Sequence, residues 1–229
     1  MSNTRHLKSR GGSSRTILAP TLFSRLPAPL QARLKQQAPR RKFPAGALIQ
    51  QVGDGASGFW LIEQGAVQIG IFRADGDFRA VGILEEGDSY GELALMGRSK
   101  RVVDAIARGP SELLWIDGNR FEQAIAEDPA TLRDLVGAMA LELQEMIGYV
   151  AGFRGGSAKN RVASVMANAA RHSGEPALLI TQSEVAALAG VTRATAASAL
   201  REFEAAGALK RRYGVIEIRD TALLQELSF

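Results

Sequence analysis

The stretch Gly91-Glu92-Leu93-Ala94-Leu95-Met96, followed by Gly97-Arg98-Ser99-Lys100-Arg101, gathers residue types that suit a charged ligand. Gly91 lets the backbone come close to a bound molecule. Glu92 to Met96 has the composition of a single helical turn, whose free N–H groups favour an anion. Arg101 offers a fixed positive charge able to grip a phosphate through two N–H groups. Glu92 would accept hydrogen bonds from sugar hydroxyls. A helix start, an arginine and a carboxylate together suit a phosphorylated ribose. The alternative is that Arg101 pairs with a buried acid such as Glu92 or Asp104, and the pocket stays empty or takes something else.

A second constellation lies near the C-terminus. Thr181-Gln182-Ser183-Glu184 is a capping box opening a short helix that carries Val185, Ala186 and Leu188 and ends at Gly190. Thr192 caps a second helix, Arg193 to Ala206, stopped by Gly207. Ala186 and Gly190, four residues apart, let the two helices cross closely, as in a helix-turn-helix. Arg193, at the start of the second helix, would reach base edges, most naturally guanine O6 and N7. Thr181, Gln182, Thr192, Thr195, Ser198 and Arg201 surround it, and Arg212 sits with Lys210 and Arg211 on a hairpin about Gly214. The threonines and the hairpin cations would mostly hold phosphates and carry little sequence information. A helical hairpin serving protein contact is the competing reading.

These two sites need elements to place them. From Pro20 to Gln37 a helical piece puts Leu22, Phe23, Leu26, Leu30 and Leu34 on one side, and Lys42-Phe43-Pro44-Ala45-Gly46 breaks it. Short strands are expected at Ala47–Gln50, Gly58–Glu63, Ala66–Phe72, Arg79–Leu84 and Glu112–Ile116, with Asp75-Gly76-Asp77 as a hairpin turn. Such spacing argues for an antiparallel barrel or jelly roll. Asp117 to Ala126 returns to helix. A long helix then runs from about Pro129 to Phe153, capped by Asp128 and stopped or hinged by Gly155-Gly156. Its apolar residues Leu132, Val136, Met139, Leu143, Met146, Val150 and Phe153 step alternately by four and three, the mark of a narrow seam for a partner helix. Beyond the hinge, Ser157 caps a helix over Lys159–Arg171, and Leu178-Leu179-Ile180 is a short strand.

Composition excludes several classes. The 229 residues hold no cysteine, hence no disulfide, thiolate metal site or iron–sulfur cluster. His6 and His172 are the only histidines and stand far apart, so no metal site is expected. No apolar run reaches the roughly 18 residues of a membrane span, and no signal-peptide order is present. A cytoplasmic protein is the expectation. No nucleophile–base pair points to an enzyme. The charge is uneven: residues 1–42 carry ten Lys or Arg and no acid, 43–156 carry nine bases against seventeen acids, and 157–229 carry nine against seven. The basic start, with Gly11-Gly12-Ser13-Ser14, is expected to be a disordered tail that adds non-specific attraction to phosphate.

The run Gly91-Glu92-Leu93-Ala94-Leu95 with Arg101 resembles the phosphate-binding cassette of cyclic-nucleotide-binding domains. Phe59-Trp60-Leu61-Ile62-Glu63-Gln64-Gly65-Ala66-Val67 is similar to the glycine turn of the same β-roll. From about Leu22 to Leu227 the chain resembles the Crp/Fnr family of bacterial transcription regulators. The resemblance implies an α+β architecture: an N-terminal antiparallel, jelly-roll-like β-roll, a long dimerisation helix and a C-terminal winged helix-turn-helix. The corresponding segments are a tail over 1–19, a sensor over 20–127, the helix and hinge over 128–156 and a DNA reader over 157–229.

It further implies a homodimer on a palindromic site in double-stranded DNA, with RNA polymerase as a partner and cyclic AMP or cyclic GMP as effector. Gly91, Glu92, Leu93, Arg101, Val102, Met146 and Ile147 would line the effector site. Val102 stands where the family usually has a small or hydroxylated residue, and it has no side-chain donor. Met146 and Ile147 replace hydroxyl residues that read adenine; they can pack on a base but not read its polar edge. Ala194 and Ser198 stand where readers of the cyclic-AMP-type operator have Glu and Arg, so a different half-site is expected. An effector-independent regulator with an empty pocket, and a nucleotide-binding module acting on a protein partner, are the other two functions in play.

Overall fold

The computed structural model describes residues 22–173 and 176–228. The expected N-terminal tail, Pro20 and Thr21 lie outside that range. The chain divides into two units, one mainly from residues 19–144 and the other mainly from 145–229.

In the first unit a 3-10 turn, Leu22–Arg25, precedes helix α1, Ala28–Gln37. Pro27, fixed at φ −54°, separates the two, so the single helical piece expected from sequence is split. The apolar stripe is nonetheless right: Leu22, Phe23, Leu26, Leu30 and Leu34 are all buried. Eight strands follow. They are β1 Arg40–Phe43, β2 Leu48–Gln50, β3 Gly58–Gln64, β4 Ala66–Phe72, β5 Phe78–Glu85, β6 Ser89–Tyr90, β7 Asp104–Ala107 and β8 Ser111–Asp117. They form two sheets, ordered β1-β8-β3-β6 and β2-β7-β4-β5. The short helix α2, Glu92–Met96, interrupts them after β6.

Strand β1 corrects the expected break at Lys42-Phe43. Arg40 to Phe43 pair antiparallel with β8, from Arg40↔Leu114 to Phe43↔Ser111. Three successive cations obscure the alternation, but an edge strand keeps them in water. Arg40 there grips Glu63 through two bonds of 2.5 and 2.7 Å. Strands β6 and β7 were likewise not expected. At the Asp75-Gly76-Asp77 turn, Arg73 donates to the Asp77 carbonyl at 2.8 Å, and Gly76 takes φ +86°.

The core of this unit closes around Phe59, which no solvent reaches. Its ring meets Phe121 edge-on at 4.9 Å and lies 6.3 Å from Phe23. Phe121 comes from helix α3, Gly118–Ala126, which Asp117 caps by accepting from the Arg120 N–H at 3.0 Å.

Helix α4 runs Pro129–Gly155. Asp128 caps it, accepting from the Ala130 N–H at 3.0 Å and the Thr131 hydroxyl at 2.7 Å. The seam expected from sequence is only half of the helix's apolar character. Thr131, Leu135 and Ala138 are buried, the latter two in the core with Phe59, while Leu132, Val136 and Leu143 stay exposed. Leu135 falls one place outside the four-three series, so that series misses the face turned to the core. Met139 packs partly against the core, Met146 and Ile147 are exposed, and the side chains of Val150 and Phe153 lie outside the described set.

In the second unit helix α5, Ala158–Ser173, starts at Ser157, whose hydroxyl accepts from the Asn160 N–H at 3.2 Å. Val162, Val165, Met166 and Ala169 are buried as expected. Strand β9 is Ala177–Leu178, so Leu179 and Ile180 lie just past it, though both are buried. Helices α6, Gln182–Ala189, and α7, Arg193–Ala205, are followed by β10, Leu209–Arg212, and β11, Val215–Ile218. The hairpin pairs Arg212↔Val215 around Gly214, and β9 adds itself to β11 as a third strand. A last helix, α8 Thr221–Glu226, is capped by Asp220 accepting from the Leu223 N–H at 2.9 Å. Sequence reading missed it, although Asp220 before an apolar run was a usable signal.

Candidate functional site

Gly91 is the hinge of the first site. It caps α2 in the left-handed region, at φ +102°, and a Cβ there would collide with the Arg101 guanidinium. Arg101 is buried and donates from Nη1 to the Gly91 carbonyl at 2.6 Å and from Nη2 to the Gly58 carbonyl. Its backbone is pinned as well: the Arg101 N–H donates to Asp54 O and the Gly53 N–H to Arg101 O, both at 2.9 Å. The guanidinium thus ties the cassette to the start of β3. Two of its five N–H donors are so engaged, leaving others for an anion.

The alternative, an ion pair with Glu92 or Asp104, does not describe this geometry. Asp104 instead accepts from the Val52 N–H at 2.8 Å and the Phe72 N–H at 2.9 Å. Glu92 is buried, and its Oε1 has no hydrogen-bond partner. Burial pushes its carboxyl up to about 7, against the opposing pull of a Ser89 hydrogen bond, a backbone N–H and the Arg101 charge. Burial also lowers the Arg101 value, which Glu92 partly restores. An acceptor held in this way lacks a donor, and a sugar hydroxyl is one. The residues present therefore fit a phosphorylated ribose. Leu93 and Val102 are exposed, Val102 at 69%, and neither adds a polar group. Tyr90, immediately before Gly91, escaped the sequence reading. It is buried, and its hydroxyl also has no partner. Tyrosine beside the cassette glycine was the available signal.

The second site is built from caps. Thr181 completes its capping box: it accepts from the Glu184 N–H at 3.2 Å, while Glu184 accepts from the Thr181 N–H at 2.8 Å. Gly190 ends α6 at φ +61°. Thr192 accepts from the Thr195 N–H at 3.1 Å, and the two hydroxyls lie 2.8 Å apart. Val185, Leu188, Leu200 and Phe203, with Ala186, Ala189, Ala196 and Ala199, are buried, so small residues set the close crossing of α6 and α7.

Arg193 and Arg201 are exposed, and neither makes an ion pair among the described residues; Thr195, Ser198 and Gln182 are only half-buried rather than fully exposed. The hairpin cations are less free than their run implies. Arg211 pairs with Glu204 at 2.7 Å and Arg212 with Glu217 at 2.8 Å, leaving Lys210 exposed and outside these pairs. The face therefore presents Arg193, Arg201 and Lys210 as its available positive charge, around a helix N-terminus that favours phosphate.

Two domain families match this chain. Residues 40–128 match the cyclic nucleotide-binding domain family, and residues 160–227 match the Crp-like helix-turn-helix domain family. The cyclic AMP receptor protein of Thermus thermophilus is 29% identical over 190 residues, covering 83% of this chain and 88% of that protein. A CRP-like cAMP-activated global transcriptional regulator of Mycobacterium tuberculosis is 26% identical, covering 86% and 91%. Among solved structures, a CooA mutant from Carboxydothermus hydrogenoformans shares the fold at a TM-score of 0.69 and 20% identity, covering 86% of this chain and 90% of that one. The c-di-GMP responsive regulator CLP of Xanthomonas campestris does so at 0.64 and 21%, covering 84% and 99%. A cassette closed by Arg101, a capped helix-turn-helix and these matches lead to one assignment: the chain belongs to the Crp/Fnr family of bacterial transcription regulators.

Proposed function

We propose that this regulator acts as a homodimer, takes a cyclic nucleotide between Glu92 and Arg101, and reads a palindromic duplex with the start of α7. The observation that carries the ligand assignment is the buried Glu92 oxygen without a donor, beside a buried arginine with N–H groups to spare. Arg101 would hold the phosphate and Glu92 a ribose hydroxyl, within a domain whose relatives in Thermus and Mycobacterium are named for cyclic AMP. A bound effector supplies the negative charge that the buried guanidinium attracts. Pairing is supported by the exposed apolar stripe Leu132, Val136, Leu143 and Ile147 on α4, at helical spacing, with Met146 beside it. Two copies clamped on that stripe would set their recognition helices about 34 Å apart, one turn of DNA. Arg193 would contact a guanine, with Thr181, Gln182, Thr192, Thr195, Ser198, Arg201 and Arg212 around it. RNA polymerase is the downstream partner.

An effector changes DNA affinity only by binding unequally to two arrangements of the protein that differ in their affinity for DNA. Fluorescence anisotropy on a duplex enriched from random sequence tests this, with cyclic AMP, cyclic GMP and no nucleotide. The expected result is tenfold or tighter binding with one nucleotide. Equal affinity under all conditions would instead support an effector-independent regulator, a reading favoured by Val102, which brings no donor to the cassette.

A further inference from the structure

We infer that Tyr90 is a second reader of the sugar: its hydroxyl donates to the same ribose hydroxyl that donates to Glu92. This rests on the proposed occupancy of the cassette by a cyclic nucleotide. Tyr90 sits on the two-residue strand β6, opposite Trp60, and is only 6% exposed. Its Oη has no hydrogen-bond partner, and neither has Glu92 Oε1 two residues on. Between them the chain turns through Gly91 at φ +102°. Both cassette charges act on the phenol electrostatically. Burial raises its ionisation well above the ordinary range, with Arg101 opposing and Glu92 reinforcing.

One buried donor and one buried acceptor, both orphaned, define the chemistry of their missing partner. A single group serving both must accept from the phenol and donate to the carboxylate. An alcohol or a water does both, and of the two only the alcohol is part of a nucleotide. Above about pH 7, where Glu92 is ionised, a phosphate oxygen would take the tyrosine but offer nothing to Glu92, and an amide or ammonium nitrogen would donate to Glu92 but accept nothing. The pair therefore discriminates a ribose from its deoxy counterpart, and phenylalanine at 90 would leave Glu92 to do so alone.

The experiment is calorimetric titration of full-length wild type and Tyr90→Phe with cyclic AMP, cyclic GMP and 2′-deoxy cyclic AMP. In the wild type a ribonucleotide should bind at least tenfold more tightly than the deoxy analogue. In Tyr90→Phe that preference should shrink by roughly three- to tenfold, the worth of one neutral hydrogen bond. Affinity for the deoxy analogue should be unchanged. The unliganded Tm should hold or rise, because an unpaired buried hydroxyl has been removed.

A preference retained in Tyr90→Phe, or absent in the wild type while the nucleotides still bind, overturns the role of Tyr90 and leaves the site assignment standing. Equal losses for both nucleotides would show a packing role and overturn it too. A wild type that binds none of the three overturns both the role and the site.

Discussion

Replacing Glu92 with Gln should change the pH dependence of folding more than its magnitude at any one pH. The carboxyl is buried, and in the folded protein it titrates at about 7, against 4.5 when unfolded. Between those values the native state holds a proton that the unfolded chain has lost, so folding takes up a proton. Stability from this group is complete below about pH 4.5 and is lost as pH rises through 7. Between pH 5 and pH 8 the loss amounts to about 2–3 kcal/mol, on the order of 10 °C in Tm for a domain of this size. Glutamine cannot titrate, so the stability of Glu92→Gln relative to wild type should climb by that amount over the same interval. A fixed offset from the new amide leaves the slope untouched. Urea unfolding at four pH values measures it, read by Trp60 and Trp115, whose rings meet at 4.7 Å within the same unit. A difference between the two proteins that stays flat from pH 5 to pH 8 would refute the burial argument for this carboxyl.

Three further outcomes follow from the geometry. Val136→Glu, at a position 57% exposed, should leave the fold's Tm within a few degrees but turn a dimer into a monomer by analytical ultracentrifugation. Gly91→Ala meets both a left-handed backbone and the Arg101 guanidinium; it should cost about 1–3 kcal/mol in denaturant unfolding and weaken nucleotide binding in parallel. Arg193→Ala should lose about 1–3 kcal/mol of discrimination at one base position, seen by anisotropy against operator variants, while non-specific binding falls only slightly.

Local rules carried much of this fold into the sequence. The caps at Asp128, Ser157, Thr181 and Thr192 all act where side-chain chemistry placed them, because a cap is settled within three residues. What stayed illegible depends on distant partners. Arg40–Phe43 is a strand because β8 lies beside it, not because of its own pattern. Asp104 serves the backbones of Val52 and Phe72, and Arg211 folds back on Glu204; neither choice can be read from neighbouring residues. In the cassette, Glu92 and Arg101 were recognisable by type and spacing. That Arg101 would bind two carbonyls rather than a carboxylate, and that Tyr90 would be buried with its hydroxyl unused, emerges only once β3 and β6 are side by side.

Arg101, 43 residues after Gly58 in the chain, joins Gly58 to Gly91 through their carbonyl oxygens. An alanine there would abolish any anion grip, and it would also free Gly58 and Gly91 from one another, so lost binding and a sprung cassette would arrive together. Lysine would keep the charge but, with a single nitrogen, could not span both carbonyls in the same way. This arginine is a staple as well as the proposed anion grip, so a substitution that retunes the ligand also loosens the loop that holds it.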